Sequence, residues 1–339
     1  MSVVPPKPPQ DLEVKNSRNR KSLRWLIEVS PVDHISIVDL VCGSENLSGL
    51  LDHWWNLFQP HLEKYALVGR VGWPTDMLVS AVVFFYGCWL YLACIVSDVS
   101  PYVNMLVDYT LLYMLVDHYL DSRIIGNVAL KEMRLVLDDF NFYPTDQYVR
   151  EIQEVYLRLC SGPTGLKIKE KLISLFLAEV SGLECQKKSN LSFEKYLEVA
   201  MNKGGATFTV LTEFIKREEN FVPLDSSQGR DLGEIMQLLD DMLDVEQDKE
   251  TGCHTVATHE LKQKGNLDSL WYKSLDMIEA LESPFCIWGW VYSLMLVYIP
   301  SCNPRCFSDT LVDTAHKYNP LALCRGVQML TRALHDISR

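Results

Sequence analysis

GEIMQLLDDMLDVEQDKETG, residues 233–252, decides the reading of this chain. Ile235, Met236, Leu238, Leu239, Leu243 and Val245 make the stretch too apolar for a helix lying free in water, so it belongs to a helical core. Asp240, Asp244 and Asp248 fall four residues apart, which places them on one stripe of that helix. Like charges at this spacing repel by roughly a few tenths of a kcal/mol, so the ladder needs a compensating partner. A solvated acidic face is the plain alternative. Mg²⁺ is the sharper one, because it prefers carboxylate and water oxygens together with substrate phosphates.

A second acidic pair lies upstream. In LLYMLVDHYLDSR (111–123), Asp117 and Asp121 are again four apart at the end of a long apolar helix. Two such helices facing each other would form one metal-lined mouth on opposite walls of a bundle. Asp138 and Asp139 in VLDDFNFYP (136–144) form another pair, but an aromatic, proline-containing turn follows and no acid lies four residues on. Those two read as capping or turn chemistry.

With these stretches in view, residues 60–265 resemble the trans-isoprenyl diphosphate synthase (polyprenyl synthetase) family, within the class I terpenoid synthase superfamily. DHYLD (117–121) resembles that family's first aspartate-rich motif, and MQLLDDMLD (236–244) its second, including Gln237 three residues before the first Asp. SFEKYLEVAMNKGGA (192–206) resembles the segment whose lysine, here Lys203, contacts the allylic diphosphate. GRVGWP (69–74) lies where the family carries a Gly-Lys-x-x-Arg-Pro element, with Arg70 standing for its lysine. The resemblance implies an all-α bundle with a central apolar cavity and Asp117, Asp121, Asp240, Asp241, Asp244 and Asp248 as ligands to Mg²⁺, three ions with diphosphate bound. It further implies catalytic roles for Asp117, Asp121, Asp240 and Lys203, and substrate contacts from Arg70, Lys203, Gln237, Lys249, Arg123 and Tyr113. A short or medium trans-prenyl diphosphate (C15–C20), built from an allylic diphosphate and isopentenyl diphosphate, is the expected product. Members of the family commonly pair as homodimers.

The chain also departs from the pattern. His118 replaces the second Asp of the first motif, Trp73 occupies the place of an Arg, and Thr110 lies where a His or Gln would help hold isopentenyl diphosphate. Only Arg123 stands where an Arg-Arg pair would follow the first motif. Asp240, Asp241, Asp244 and Asp248 also fit the register of the second metal motif of terpene synthases, which need no isopentenyl site. Three readings follow: an elongating synthase first, a terpene synthase that cyclises or eliminates second, and a non-catalytic synthase-like partner third. In either enzyme, Lys203, Arg70 and Lys249 would help neutralise the diphosphate, and apolar, aromatic helices would shield the cation left behind. Tyr113 lies one helical turn before Asp117, with Leu112 beside it and Tyr109 a turn further down. Bulk at 113 points to a short or medium chain if these residues line the cavity; core packing is the other reading.

Composition bounds the rest. The 339 residues contain no Gly/Ser-rich linker, which argues for one helical domain over 21–339 behind a disordered tail at 1–20 that carries four prolines and no signal sequence. A net charge of −12 argues against nucleic acid. The ten cysteines form no C-x-x-C pair, and Cys302, Cys306 and His316 fit no common zinc spacing, so buried reduced thiols and a cytoplasmic location are expected. MLVSAVVFFYGCWLYLACIV (77–96) has twenty residues without a charge, and PFCIWGWVYSLMLVYIP (284–300) is similar. A mean hydropathy of +0.00 favours burial in a bundle over membrane insertion.

Apolar periodicity predicts helices over 20–29, 34–42, 46–66, 75–97, 100–123, 128–139, 145–160, 164–185, 191–202, 205–218, 228–248, 254–262, 267–281, 285–298, 307–316 and 320–337. No period-2 alternation or hairpin signal interrupts them. The loop KETGCHT (249–255) is read as a cover for the substrate hinged at Gly252, with His254 and His259 as contacts to diphosphate.

Overall fold

A computed structural model describes residues 75–96, 99–121, 127–139, 141–161, 164–215, 226–281 and 285–318. The expected tail, the helices at 20–29, 34–42, 46–66 and 320–337, and Arg70, Trp73 and Arg123 lie outside these. The described chain is all-α, with no strand among its residues. Its helices are α1 (Thr75–Ala93), α2 (Val103–Asp121), α3 (Asn127–Asp138), α4 (Gln147–Cys160), α5 (Gly165–Gln186), α6 (Phe193–Ile215), α7 (Ser226–Leu243), α8 (Val245–Thr251), α9 (Val256–Lys264), α10 (Asp268–Glu279), α11 (Cys286–Cys302) and α12 (Asp309–Tyr318).

Both long apolar runs become helices of the bundle. α1 turns Ala81, Phe85, Cys88, Tyr91 and Leu92 inward, and α2 buries Leu106, Tyr109, Leu111, Leu112 and Leu115. Among the described residues no helix is long and apolar enough to cross a membrane. α2 packs on α1 and α4, α5 on α6, α6 on α7, and α7 on α10 and α11. Buried tyrosines tie the layers together. Tyr109 donates to the Thr207 carbonyl (2.6 Å), joining α2 to α6, and Tyr292 to that of Leu232 (2.8 Å), joining α11 to α7.

Three element boundaries differ from the sequence reading, each for a local reason. The expected break between 202 and 205 is absent, and α6 runs unbroken through Gly204 and Gly205. Glycine in a helix interior costs about 1 kcal/mol. Here the loss is offset by close packing. A Cβ on Gly204 would lie 2.1 Å from the Gly233 carbonyl oxygen, and one on Gly233 2.0 Å from that of Gly204, so the backbones of α6 and α7 touch.

Conversely, the single helix expected over 228–248 divides into α7 and α8 at Asp244, whose φ of −91° and ψ of 4° lie in the bridge region. Asn303, buried after α11, donates its amide to the carbonyls of Met242 (3.0 Å) and Leu243 (2.7 Å). Those oxygens find partners outside the helix ladder, which permits the bend. The 240–244 and 244–248 backbone bonds persist at 3.0 and 2.9 Å, so the aspartate register carries across the bend.

α11, expected to stop at 298, continues through Pro300. Proline has no N–H for the carbonyl four residues back, which is that of Leu296. Trp271 supplies the missing donor, with its Nε1 2.6 Å from the Leu296 oxygen. Trp271→Phe leaves that buried carbonyl without its partner and should cost about 1–3 kcal/mol. Chemical denaturation of the two proteins measures it, and an unchanged midpoint would show that the bond is dispensable.

Gly252, read from the sequence as a hinge, ends a helix. At φ 76° it terminates α8 in the left-handed conformation that glycine adopts without a Cβ penalty. The loop is held down by His254 N–H, which donates to the Gln186 carbonyl (3.0 Å), and by the Thr255 cap of α9. Asp139 accepts from Asn141 N–H (2.9 Å), as the turn reading of that acidic pair expects.

Candidate functional site

α2, α5, α6 and α7 bring Asp117, Glu179, Lys203 and Asp240 into one electrostatic neighbourhood. Asp117 raises Asp240, and the same carboxylate acts on Glu179 and Lys203. The two acidic helices therefore face one another. Asp121 ends α2 one turn beyond Asp117, but its side chain lies outside the described residues.

Asp117 borders a narrow cavity whose free space, about 30 Å³, is that of a slot closed down by its own side chains. Tyr109, Leu112, Tyr113 and Val116 of α2 line it, opposite Leu172, Leu175 and Phe176 of α5. Met133, Leu137 and Ile152 complete an apolar wall, and the carboxylates Asp117 and Glu179 meet it. Tyr113 lines the cavity and also packs, stacking on Phe84 with centroids 4.3 Å apart. Burial pushes its phenol well above the usual range, so it stays protonated.

Lys203 reaches this junction from α6, with its Nζ 3.0 Å from Glu179 Oε2. Burial opposes the ammonium's charge, but Glu179, Tyr113 and Asp117 outweigh it and hold its pKa well above the ordinary value. For Glu179 burial is the largest influence and raises the carboxyl, while Lys203 pulls it back. The short contact and the strongly held lysine proton make this an ionised pair.

The second acidic stretch crowds four carboxyls together, with Lys203 acting on three of them. Asp240 is crowded by protein yet exposed to water. Its carboxyl is pushed up to about 7 by desolvation first, then by Asp244 and Asp241. Asp241 is buried and is likewise pushed to about 7 by desolvation, against the Gln237 hydrogen bond and Lys203. Asp248 rises to about 6, and Asp244 is raised by desolvation. Gln237, also buried, donates Nε2–H to Asp241 Oδ1 at 2.8 Å and so orients that carboxylate. Lys249 is exposed in the last turn of α8, where its charge acts on Cys306.

The donor set suits Mg²⁺ in chemistry: hard oxygens, mutually repelling, beside one fixed ammonium. As the side chains stand, no three of the described His, Cys, Asp or Glu residues close on a single ion. That arrangement is compatible with a cation that keeps several waters and shares one or two carboxylates with substrate phosphates.

The raised carboxyls carry a sign. Each binds its proton more tightly folded than unfolded, so these groups favour the folded state at low pH and lose that contribution as pH rises from about 4 to about 7. A bound cation must displace the same protons. Mg²⁺ affinity, measured by calorimetry, should therefore fall about tenfold or more for each pH unit below 7. Affinity independent of pH between 6 and 8 would place the ion elsewhere.

Thr110 is fully buried, and the residues that line the cavity do not include it. His259 packs over Tyr196 with centroids 5.1 Å apart. Glu179 is the residue that sequence reasoning missed. The signal was present: Ile168, Leu172, Leu175 and Phe176 form the buried stripe of α5, and Glu179 continues it. An acid on an apolar face must find a charged partner or a ligand.

No protein-family model, curated protein or solved structure matches the chain.

Proposed function

We propose that this protein is a Mg²⁺-dependent prenyltransferase that condenses an allylic diphosphate with isopentenyl diphosphate to a C15–C20 trans-prenyl diphosphate. The observation that supports this reading is that Asp117, which lines an apolar cavity, lies within electrostatic reach of both Asp240 and Lys203. Asp117, Asp121, Asp240, Asp241, Asp244 and Asp248 would hold Mg²⁺, which would supply Lewis-acid neutralisation of the departing diphosphate. Lys203, protonated at any working pH, donates hydrogen bonds to the same anion. Gln237 keeps Asp241 oriented. The apolar wall excludes water from the allylic carbon, which would otherwise be captured as an alcohol.

A specific observation favours a second reading. Thr110, which stands in place of a His or Gln that would help hold isopentenyl diphosphate, is fully buried and offers no contact to a second substrate, which suits a terpene synthase that uses the allylic diphosphate alone. Product analysis separates the two. The protein is incubated with Mg²⁺ and geranyl or farnesyl diphosphate, with and without isopentenyl diphosphate. Longer diphosphates formed only with isopentenyl diphosphate support elongation. Hydrocarbons or alcohols formed without it support the terpene synthase, and no product in either arm returns the chain to a non-catalytic partner.

A further inference from the structure

Glu179 is 4 % exposed, and it is the one carboxylate of this neighbourhood that comes from neither acidic motif. Its Oε2 contacts Lys203 at 3.0 Å, while Oε1 has no hydrogen-bond partner although it is buried. A counter-ion for Lys203 needs only one of the two oxygens. Glu179 lines the cavity beside Leu175, Phe176 and Tyr113, where an anionic oxygen without a partner is costly and where a wholly apolar ligand would leave it so.

We propose that Glu179 is a catalytic residue whose Oε1 faces positive charge inside the bound chain, so that the cavity selects an apolar chain carrying cationic charge next to its polar end. The proposal rests on the reading above, in which that charge is the allylic cation left when diphosphate departs. Glu179 makes no bond to it and takes no proton; it supplies a fixed negative charge in surroundings of low dielectric, where such a charge acts strongly. The Lys203 ammonium on Oε2 keeps the carboxylate charged while Oε1 is left for the chain. A leucine or glutamine at 179 would complete an apolar tunnel; the carboxylate instead makes it selective for charge.

Two probes of equal shape test this on the full-length chain: N,N-dimethylgeranylamine, protonated at pH 7, and the neutral hydrocarbon with carbon in place of nitrogen. Binding is measured by calorimetry without diphosphate or Mg²⁺. The native protein should prefer the ammonium by about tenfold or more, as expected for a hydrogen bond to a charged group. Glu179→Gln should bind the neutral chain as the native protein does and lose the preference, whereas Glu179→Asp, which keeps the charge, should retain part of it. Equal binding of both probes by the native protein, a preference that survives Glu179→Gln, or no binding of either probe overturns the proposal. Because the binding arms need no turnover, a charge-selective cavity in a protein that consumes no prenyl diphosphate would sink the prenyltransferase reading alone.

Discussion

Asp240→Ala should lower turnover of an allylic diphosphate by about 10²–10³-fold or more, the loss typical of removing one group that stabilises a departing anion. Asp117→Ala on the facing helix should do the same. Asp240 is crowded by Asp244 and Asp241 and by Asp117 from α2, and desolvation already holds its carboxyl up to about 7. Without a cation this crowding works against the fold. Removing one carboxylate relieves it, so the cation-free variant should melt at the same temperature as the native protein or higher. That pairing of lost activity with undiminished stability separates a functional carboxylate from a structural one. Thermal stabilisation by Mg²⁺ with pyrophosphate should disappear in the variant as well. Full turnover in both variants would show that the facing carboxylates are not the site and would leave the non-catalytic partner standing.

The second large effect lies in the crossing of α6 and α7. Gly233→Ala places a methyl 2.0 Å from the Gly204 carbonyl oxygen, with Gly205 N at 3.1 Å. Two opposed contributions decide the outcome. Alanine gains about 0.4–1 kcal/mol over glycine through the unfolded chain where the backbone tolerates it. Overpacking costs about 1–3 kcal/mol and more when the obstacle is rigid. Here the obstacle is a helix backbone on both sides, so the helices must part, and the loss should reach or exceed about 3 kcal/mol. Chemical denaturation of Gly233→Ala and Gly204→Ala reads it directly. Parting also moves Lys203, beside Gly204, relative to Gln237 and Asp241 on α7, so cation and pyrophosphate binding should weaken in whatever protein remains folded. A stable Gly233→Ala protein would mean that the crossing is looser than 2.0 Å implies.

The sequence was most legible where one local rule acts alone. Apolar periodicity placed most of the described helices within a few residues, because burial of a stripe at 3.6-residue spacing needs no knowledge of the partner. Asp139 was readable as a turn residue because its hydrogen bond is to Asn141, two residues on. The pattern failed where a distant residue overrules the local preference. Gly204 and Gly205 look like a break until Gly233 lies against them. Asp244 looks like mid-helix until Asn303 takes the carbonyls before it. Pro300 looks like a stop until Trp271 fills the place of its missing N–H.

The same division runs through the site. Sequence alone determined the two acidic ladders, their i, i+4 register and the lysine beside paired glycines, since helical spacing is a property of a single segment. Tertiary structure alone decided that Asp117 and Asp240 feel each other, that Lys203 spends its charge on Glu179, that Gln237 serves Asp241, and that Thr110 is buried away from the cavity. Each of these depends on which helix faces which. That is set by packing between segments far apart in the chain, here by two glycine backbones in contact, and no spacing within one helix encodes it.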